Sequence, residues 1–175
     1  MNTAQSVSEQ AILGIENLKV VFQSNQRELP AVDSVSLNLK RGKRTALLGE
    51  SGCGKSVLAL AVFGLLPKTA SVSGQISGLG HEDLLTLCPE MINDLRGKAM
   101  VLIPQNPHGS LNPVFKVGEQ IVEAICLIPH ERPAKIKATV LELLSKTGFD
   151  EPDKVANMYP HQLSGGMAQR VLLSI

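Results

Sequence analysis

The sequence predicts an α/β fold, on three observations. The first two-thirds of the chain consists of short strand-like runs around one long apolar segment, Ser56–Leu66. A glycine-rich junction, Gly49–Ser56, stands between an apolar strand-like run and that segment. From Val117 onward the apolar residues take up helical spacing instead.

Taken in order, Ile15, Leu18, Val20 and Phe22 with intervening polar residues predict a strand that ends in the polar turn Gln23–Glu28. Val35, Leu37 and Leu39 alternate with Ser36, Asn38 and Lys40, the pattern of a half-buried strand with one wet face. Arg41-Gly42-Lys43 reads as a turn, and Thr45–Leu48 as a short apolar strand running into Gly49. Ser56–Leu66 is long enough for a buried helix, and Pro67 stops it. Gly74–Gly80 carries turn signals around a short strand, and Ala99–Ile103 is another compact apolar strand ending at Pro104. Helices are expected over Val117–Leu127 and Pro133–Thr147, the second with Ile136, Val140, Leu143 and Leu144 on one stripe and Gly148 ending it. A last helix starts near Ser164 and is expected to run on at Ile175. No internal repeat is visible.

Composition narrows the classes of function. A chain of 175 residues has the length of one domain. A net charge of +1 gives no electrostatic reason for a nucleic-acid partner, and one Tyr, four Phe and no Trp provide little for base stacking. Cys53, Cys88 and Cys126 are widely spaced and odd in number, which fits a reducing compartment better than a disulfide framework or a zinc site. His81, His108, His130 and His161 show no ligand spacing. Met1–Gln10 is polar and lacks the layout of a secretory signal. The longest apolar run, Val57–Leu66, is half the roughly 20 residues a membrane-spanning helix needs. A soluble chain is therefore expected, reaching a membrane only through a partner.

Gly49-Glu50-Ser51-Gly52-Cys53-Gly54-Lys55-Ser56 fits the phosphate-loop pattern GxxxxGK[ST]. Glycines let backbone N–H groups close around phosphate oxygens, and the following helix, from Val57 on, turns its positive end toward them. Lys55 brings a point charge for the β- and γ-phosphates, and Ser56 a hydroxyl for Mg²⁺, a cation that prefers oxygen ligands. ATP and Mg²⁺ are the expected cofactors. Cys53 reads as a small loop residue whose place at a helix N-terminus favours alkylation.

Leu163-Ser164-Gly165-Gly166-Met167-Ala168-Gln169-Arg170 resembles the signature motif of ABC ATPases, and it follows a helical segment as it does there. The chain is thus identified as a member of the ABC-transporter ATP-binding family. Ser164 is a good N-cap, and Gly165-Gly166 leave backbone donors uncovered at a second helix start. The resemblance implies that these residues cover the γ-phosphate held by another subunit's phosphate loop, in a head-to-tail dimer of identical or different subunits. It implies that Gln105 is the glutamine that contacts Mg²⁺ and the attacking water and couples to the membrane subunits. It implies that Phe22 stacks on adenine, the alternative being a core position on its strand. Met167 stands where the general motif has Gln, a departure that removes a side-chain amide and leaves the backbone donors. With Gln105–Pro113 and Val117-Gly118-Glu119-Gln120, it resembles the subfamily serving oligopeptide, dipeptide and nickel importers.

What the resemblance implies for the whole chain is a P-loop NTPase core of the ABC-ATPase type. It has a mixed sheet around the phosphate-loop helix, an antiparallel β subdomain and a helical signature subdomain, with residues 12–115 and 116–175 as its two parts. Expected partners are a second ATPase subunit, integral membrane permease subunits and, indirectly, a solute-binding protein. The expected place is the cytoplasmic face of the inner membrane. A non-transport ABC ATPase acting on DNA or ribosomes is the alternative, though neither coiled-coil insertions nor tandem cassettes appear. A catalytically inactive binding module is a third.

The family pattern continues, some twenty residues past the signature, with an apolar strand ending Asp-Glu, then the D-loop and a switch histidine, and these 175 residues do not contain them. Two readings stand open: a fragment incomplete at the C-terminus, or a protein completed by a second chain. Either way, the 175-residue chain alone is expected to bind nucleotide with negligible hydrolysis and to be poorly soluble. Robust magnesium-dependent turnover would overturn that expectation.

Overall fold

The computed structural model describes residues 11–24, 27–127 and 135–175. The polar N-terminus Met1–Gln10, the turn residues Asn25 and Gln26, His130 and the expected helix start at Pro133 lie outside the described residues. The described residues form two compact units divided between Val101 and Leu102. The sequence had the helical part beginning at residue 116. The earlier division has a packing reason, because Leu111 is buried in the helical unit's core.

The first unit is built on a three-stranded antiparallel sheet of order β2-β1-β3, from β1 (Ala11–Ser24), β2 (Arg27–Lys40) and β3 (Ala70–Gly78). Leu13, Ile15, Leu18 and Val20 of β1 are buried. Their spacing breaks alternation between Ile15 and Leu18, and a bulge absorbs the extra residue: the register with β2 shifts there and Asn17 takes φ 49°. Gly74 of β3 faces this bulge, and a Cβ on it would lie 2.6 Å from the Asn17 carbonyl oxygen. Strand pairing continues to Ser24 and Arg27, so the turn foreseen over Gln23–Glu28 is shorter than expected.

Helix α1 (Lys55–Val62) packs Leu58 and Ala61 against this sheet's core. It ends four residues before Leu66, where Gly64 adopts φ 60°. The rest of the expected buried helix is half-buried or exposed, Leu65 to 44%. Helix α2 (Pro89–Leu95) adds Ile92, and Arg96 beyond it donates to the carbonyls of Phe63 and Gly64 at the end of α1.

Two expected strands are corrected. Thr45–Leu48 has no regular structure and exposes Leu48 to 89%. Ala99–Ile103 forms no strand either, and the only parallel pairing among the described residues is an isolated bridge between Arg96 and Met100. The physical reason is pairing. The three strands of the sheet pair only with one another, and an apolar strand of parallel type forms only with ladder partners beside it, which Thr45–Leu48 and Ala99–Ile103 do not find. The antiparallel subdomain and the helical subdomain are present, whereas the mixed sheet around α1 is not formed by the described residues.

The second unit consists of α3 (Val117–Cys126), α4 (Ile136–Lys146), α5 (Pro152–Ala156) and α6 (Gly165–Leu172). Val117, Ile121 and Ile125 recur every fourth residue on α3 and meet Val140 and Leu144 of α4, with Ile136 and Leu143 at the margin. Gly148 ends α4 as expected, at φ 88°. Helix α6 stops at Leu172 instead of running on at Ile175, its last turn closed by the Leu173 N–H on the Gln169 carbonyl.

Candidate functional site

The phosphate loop leads from exposed backbone into α1 with two glycines at positive φ, Gly52 at 83° and Gly54 at 94°. Gly54 is required twice over, since a Cβ there would stand 2.2 Å from the Ala31 carbonyl oxygen of β2. The loop is thereby pressed against the sheet at the residue where the helix begins. Helix α1 has no side-chain cap and no acidic residue in its first turn. Its leading N–H groups therefore remain free for an external acceptor, and the helix dipole favours an anion there.

Lys55 closes the loop on itself. Its side chain runs back toward the N-terminus of the helix, and Nζ donates to the carbonyls of Gly49, at 2.8 Å, and Glu50. The Cys53 sulfur lies 3.3 Å from the same ammonium. A Cβ on Gly49 would come within 2.6 Å of that sulfur, so glycine and cysteine share one tight corner. An ammonium held by its own loop's carbonyls is charge-assisted but exchangeable, and a phosphate oxygen is a stronger competitor than a neutral carbonyl. Ser56 is exposed on the first turn of α1. Beside the loop, a hollow of about 210 Å³ is lined by residues including Ala31, Leu47, Leu48, Gly54 and Lys55.

These residues fit a triphosphate and Mg²⁺. Among the described residues, no group of three or more His, Cys, Asp or Glu is placed to hold a metal by itself. A Mg²⁺ here would come with phosphate and water ligands, to which Ser56 adds one hydroxyl. A larger hollow, about 670 Å³, lies at the other end of α1. Its lining is apolar apart from Lys68 and Arg96, and Arg96 is already committed to backbone carbonyls. Phe22 is half-buried at the end of β1 and packs against the core cluster.

In the other unit, Ser164 caps α6 by accepting the Met167 N–H at 3.3 Å, as its residue type predicts. Gly165 and Gly166 are exposed, and nothing lies within 4 Å of a Cβ placed on either. No acidic residue stands in the first turn of α6. Before it, Gln162 accepts the Tyr159 N–H at 2.8 Å, and the rings of Tyr159 and His161 stack at 5.7 Å. Gln105 is exposed on an irregular segment that continues to Pro107.

Sequence reasoning missed the side chains that hold the segment after Gln105. Gln120 accepts from the Asn112 N–H at 2.9 Å and donates to the carbonyls of Asn112 and Phe115, both at 3.0 Å. Glu119 accepts the Lys116 N–H at 2.7 Å. The glutamate was legible, lying three residues past a helix start, whereas the reach of Gln120 depends on a loop path that no local pattern encodes. The result presents Val114, 70% exposed, on a pinned loop.

The ABC transporter family matches residues 32–175. The dipeptide transport ATP-binding protein DppD of Haemophilus influenzae is 40% identical over 167 residues, 94% of this chain and 50% of DppD. The oligopeptide transport ATP-binding protein AppD of Bacillus subtilis is 36% identical over 166 residues, with the same 94% and 50% coverage. The glutathione import ATP-binding protein GsiA of Escherichia coli O157:H7 is 38% identical over 172 residues, 94% of this chain and 27% of GsiA. The chain thus spans half, or less, of the length of these curated relatives. Among solved structures, the dimeric bacterial ABC transporter cassette MJ0796 superposes with a TM-score of 0.79 at 22% identity, covering 93% of this chain and 67% of that one, a likeness of fold. A phosphate loop pressed against an antiparallel sheet, a serine-capped glycine pair on a helical unit and a family match across most of the chain agree: the chain belongs to the ABC transporter family.

Proposed function

We propose that this chain is the ATP-binding part of the ATPase subunit of an importer for small peptides or a related solute such as nickel. The observation that carries the reading is the self-closed phosphate loop, with Lys55 poised over its own carbonyls in front of uncapped helix amides. Phosphate oxygens are bound by the backbone N–H groups of Gly49, Glu50, Ser51, Gly52, Cys53, Gly54, Lys55, Ser56 and Val57, with Lys55 moving from carbonyl to phosphate. Ser56 and Gln105 hold Mg²⁺, and Gln105 senses the γ-phosphate. Phe22, half-buried at the end of β1, stacks on adenine. Bound with Mg²⁺, ATP supplies the free energy that favours the closed arrangement over the open one.

Ser164, Gly165 and Gly166 complete the site of a second ATPase subunit, identical or different. Their exposure and the open space over both glycines support an external occupant. The remaining partners are integral membrane permease subunits and, through them, a solute-binding protein, with no nucleic acid. The pinned loop carrying Val114 and Phe115 belongs to the surface facing the permease. No helix among the described residues is long and apolar enough to cross a membrane. The subunit sits peripherally, at the cytoplasmic face of the inner membrane, a reading supported by the transport names of its relatives. The small-peptide solute is supported by relatives named for oligopeptide, dipeptide and glutathione transport, and nickel by the subfamily resemblance of Gln105–Pro113 and Met167.

Deleting the gene and measuring uptake of a radiolabelled dipeptide and of nickel by the intact cell tests the importer reading. Loss of one uptake, restored by the wild-type gene but not by Lys55→Ala, is expected. Unchanged uptake of both would remove the proposal.

A further inference from the structure

The back half of α6 is fastened to the end of α4 by contacts that nucleotide chemistry does not use. Helix α4 ends in a two-bond turn, the Gly148 N–H on the Ser145 carbonyl and the Phe149 N–H on the Leu144 carbonyl. The Gly148 carbonyl then accepts from Arg170 Nη1 at 2.7 Å. The same guanidinium lies over the Phe149 ring, 4.4 Å from its centroid. One turn on, the hydroxyls of Thr147 and Ser174 are 2.9 Å apart, and Ser174 also donates to the Arg170 carbonyl at 3.1 Å. Ser174, 4% exposed, is the one buried polar residue among the described residues, its hydroxyl shared between Thr147 and the Arg170 carbonyl.

Helix α6 needs such fastening. It has eight residues and begins with Gly165 and Gly166, each about 1 kcal/mol less favourable in a helix than alanine. A helix this short takes its direction from packing. Its buried residues are Ala168 and Val171, small side chains along one line, with Met167 and Leu172 only partly buried against the same core, so apolar packing alone fixes its roll and tilt loosely. Arg170 and Ser174, four residues apart, form a second stripe beside that line.

We propose that Arg170 is a positioning residue. With Ser174 it clamps α6 to the end of α4 and so sets the direction in which the Ser164–Gly166 amides point. The clamp itself stands on these contacts alone. Its consequence for nucleotide rests on the reading of those amides as part of a second subunit's site.

Amide hydrogen exchange without nucleotide tests the clamp in the full-length protein. The reporters are Met167, held by the Ser164 side chain, and Ala168, held by its carbonyl. Arg170→Ala is expected to speed both about tenfold, and Arg170→Lys or Phe149→Leu about threefold, with Ile121 and Ile125 on α3 unchanged. Wild-type exchange at Met167 and Ala168 in Arg170→Ala overturns the proposal. If Arg170→Ala also loosens α3, the milder pair decides, and wild-type exchange in both overturns it. ATP-driven association of two copies, followed by sedimentation, then tests the functional link. Arg170→Ala should need about tenfold more ATP while binding a fluorescent ATP analogue as single copies like the wild type. A wild-type protein that never associates with ATP removes the second-subunit reading and leaves the exchange result standing.

Discussion

The two glycine-bearing helix starts of this chain solve opposite problems. At α1, each element turns inward: Gly54 lies against β2, Gly49 makes room for Cys53, and Lys55 covers the loop's carbonyls. At α6, the serine caps its own helix and the glycines face open space. Glycine in the first place is demanded by conformation and close approach. In the second it is demanded by nothing within the described residues, which directs attention to what approaches from outside.

The strongest way to break that contrast is to add one methyl group at each place. Gly54→Ala forces a Cβ onto a carbonyl oxygen at a left-handed φ and should destabilise the protein by about 3 kcal/mol, read from the denaturant midpoint. Gly165→Ala and Gly166→Ala should each leave stability unchanged or raise it by up to about 1 kcal/mol, because alanine favours the helix and meets no atom. Equal losses at all three would erase the distinction.

Next in size is the lysine. Lys55→Ala removes the charge that a triphosphate would recruit and should weaken binding of a fluorescent ATP analogue by about 2 kcal/mol, roughly thirtyfold. Ser164→Ala should leave that affinity unaltered in single copies and cost about 1 kcal/mol of stability through the lost cap. The smallest effect expected is in thiol labelling. Cys53, Cys88 and Cys126 are all exposed, yet magnesium and ATP should slow alkylation of Cys53 alone, about tenfold, by covering the loop. Indifference of Cys53 to ATP would count against the loop as the site.

How much of this was legible follows the range of each interaction. The loop's glycines, the Ser164 cap, the stripes of α3 and α4 and the Gly148 stop are local, and each appeared where the residues indicated. The bulge at Asn17 was written in the odd spacing of Ile15 and Leu18, though only pairing to β2 and β3 revealed it. Thr45–Leu48 and Ala99–Ile103 misled because an apolar run states a preference, and a strand also needs a neighbour. The Arg170 clamp was invisible, since it joins residues 22 apart through a carbonyl that any residue could supply.

The contrast between the two helix starts is measured most directly by amide exchange with and without magnesium and ATP, at two protein concentrations. The account predicts that Ser51–Val57 gains about tenfold protection at both concentrations, while Gly165–Met167 gains it only where two copies associate. Protection of Gly165–Met167 in dilute single copies, or none at Ser51–Val57 at either concentration, would contradict it.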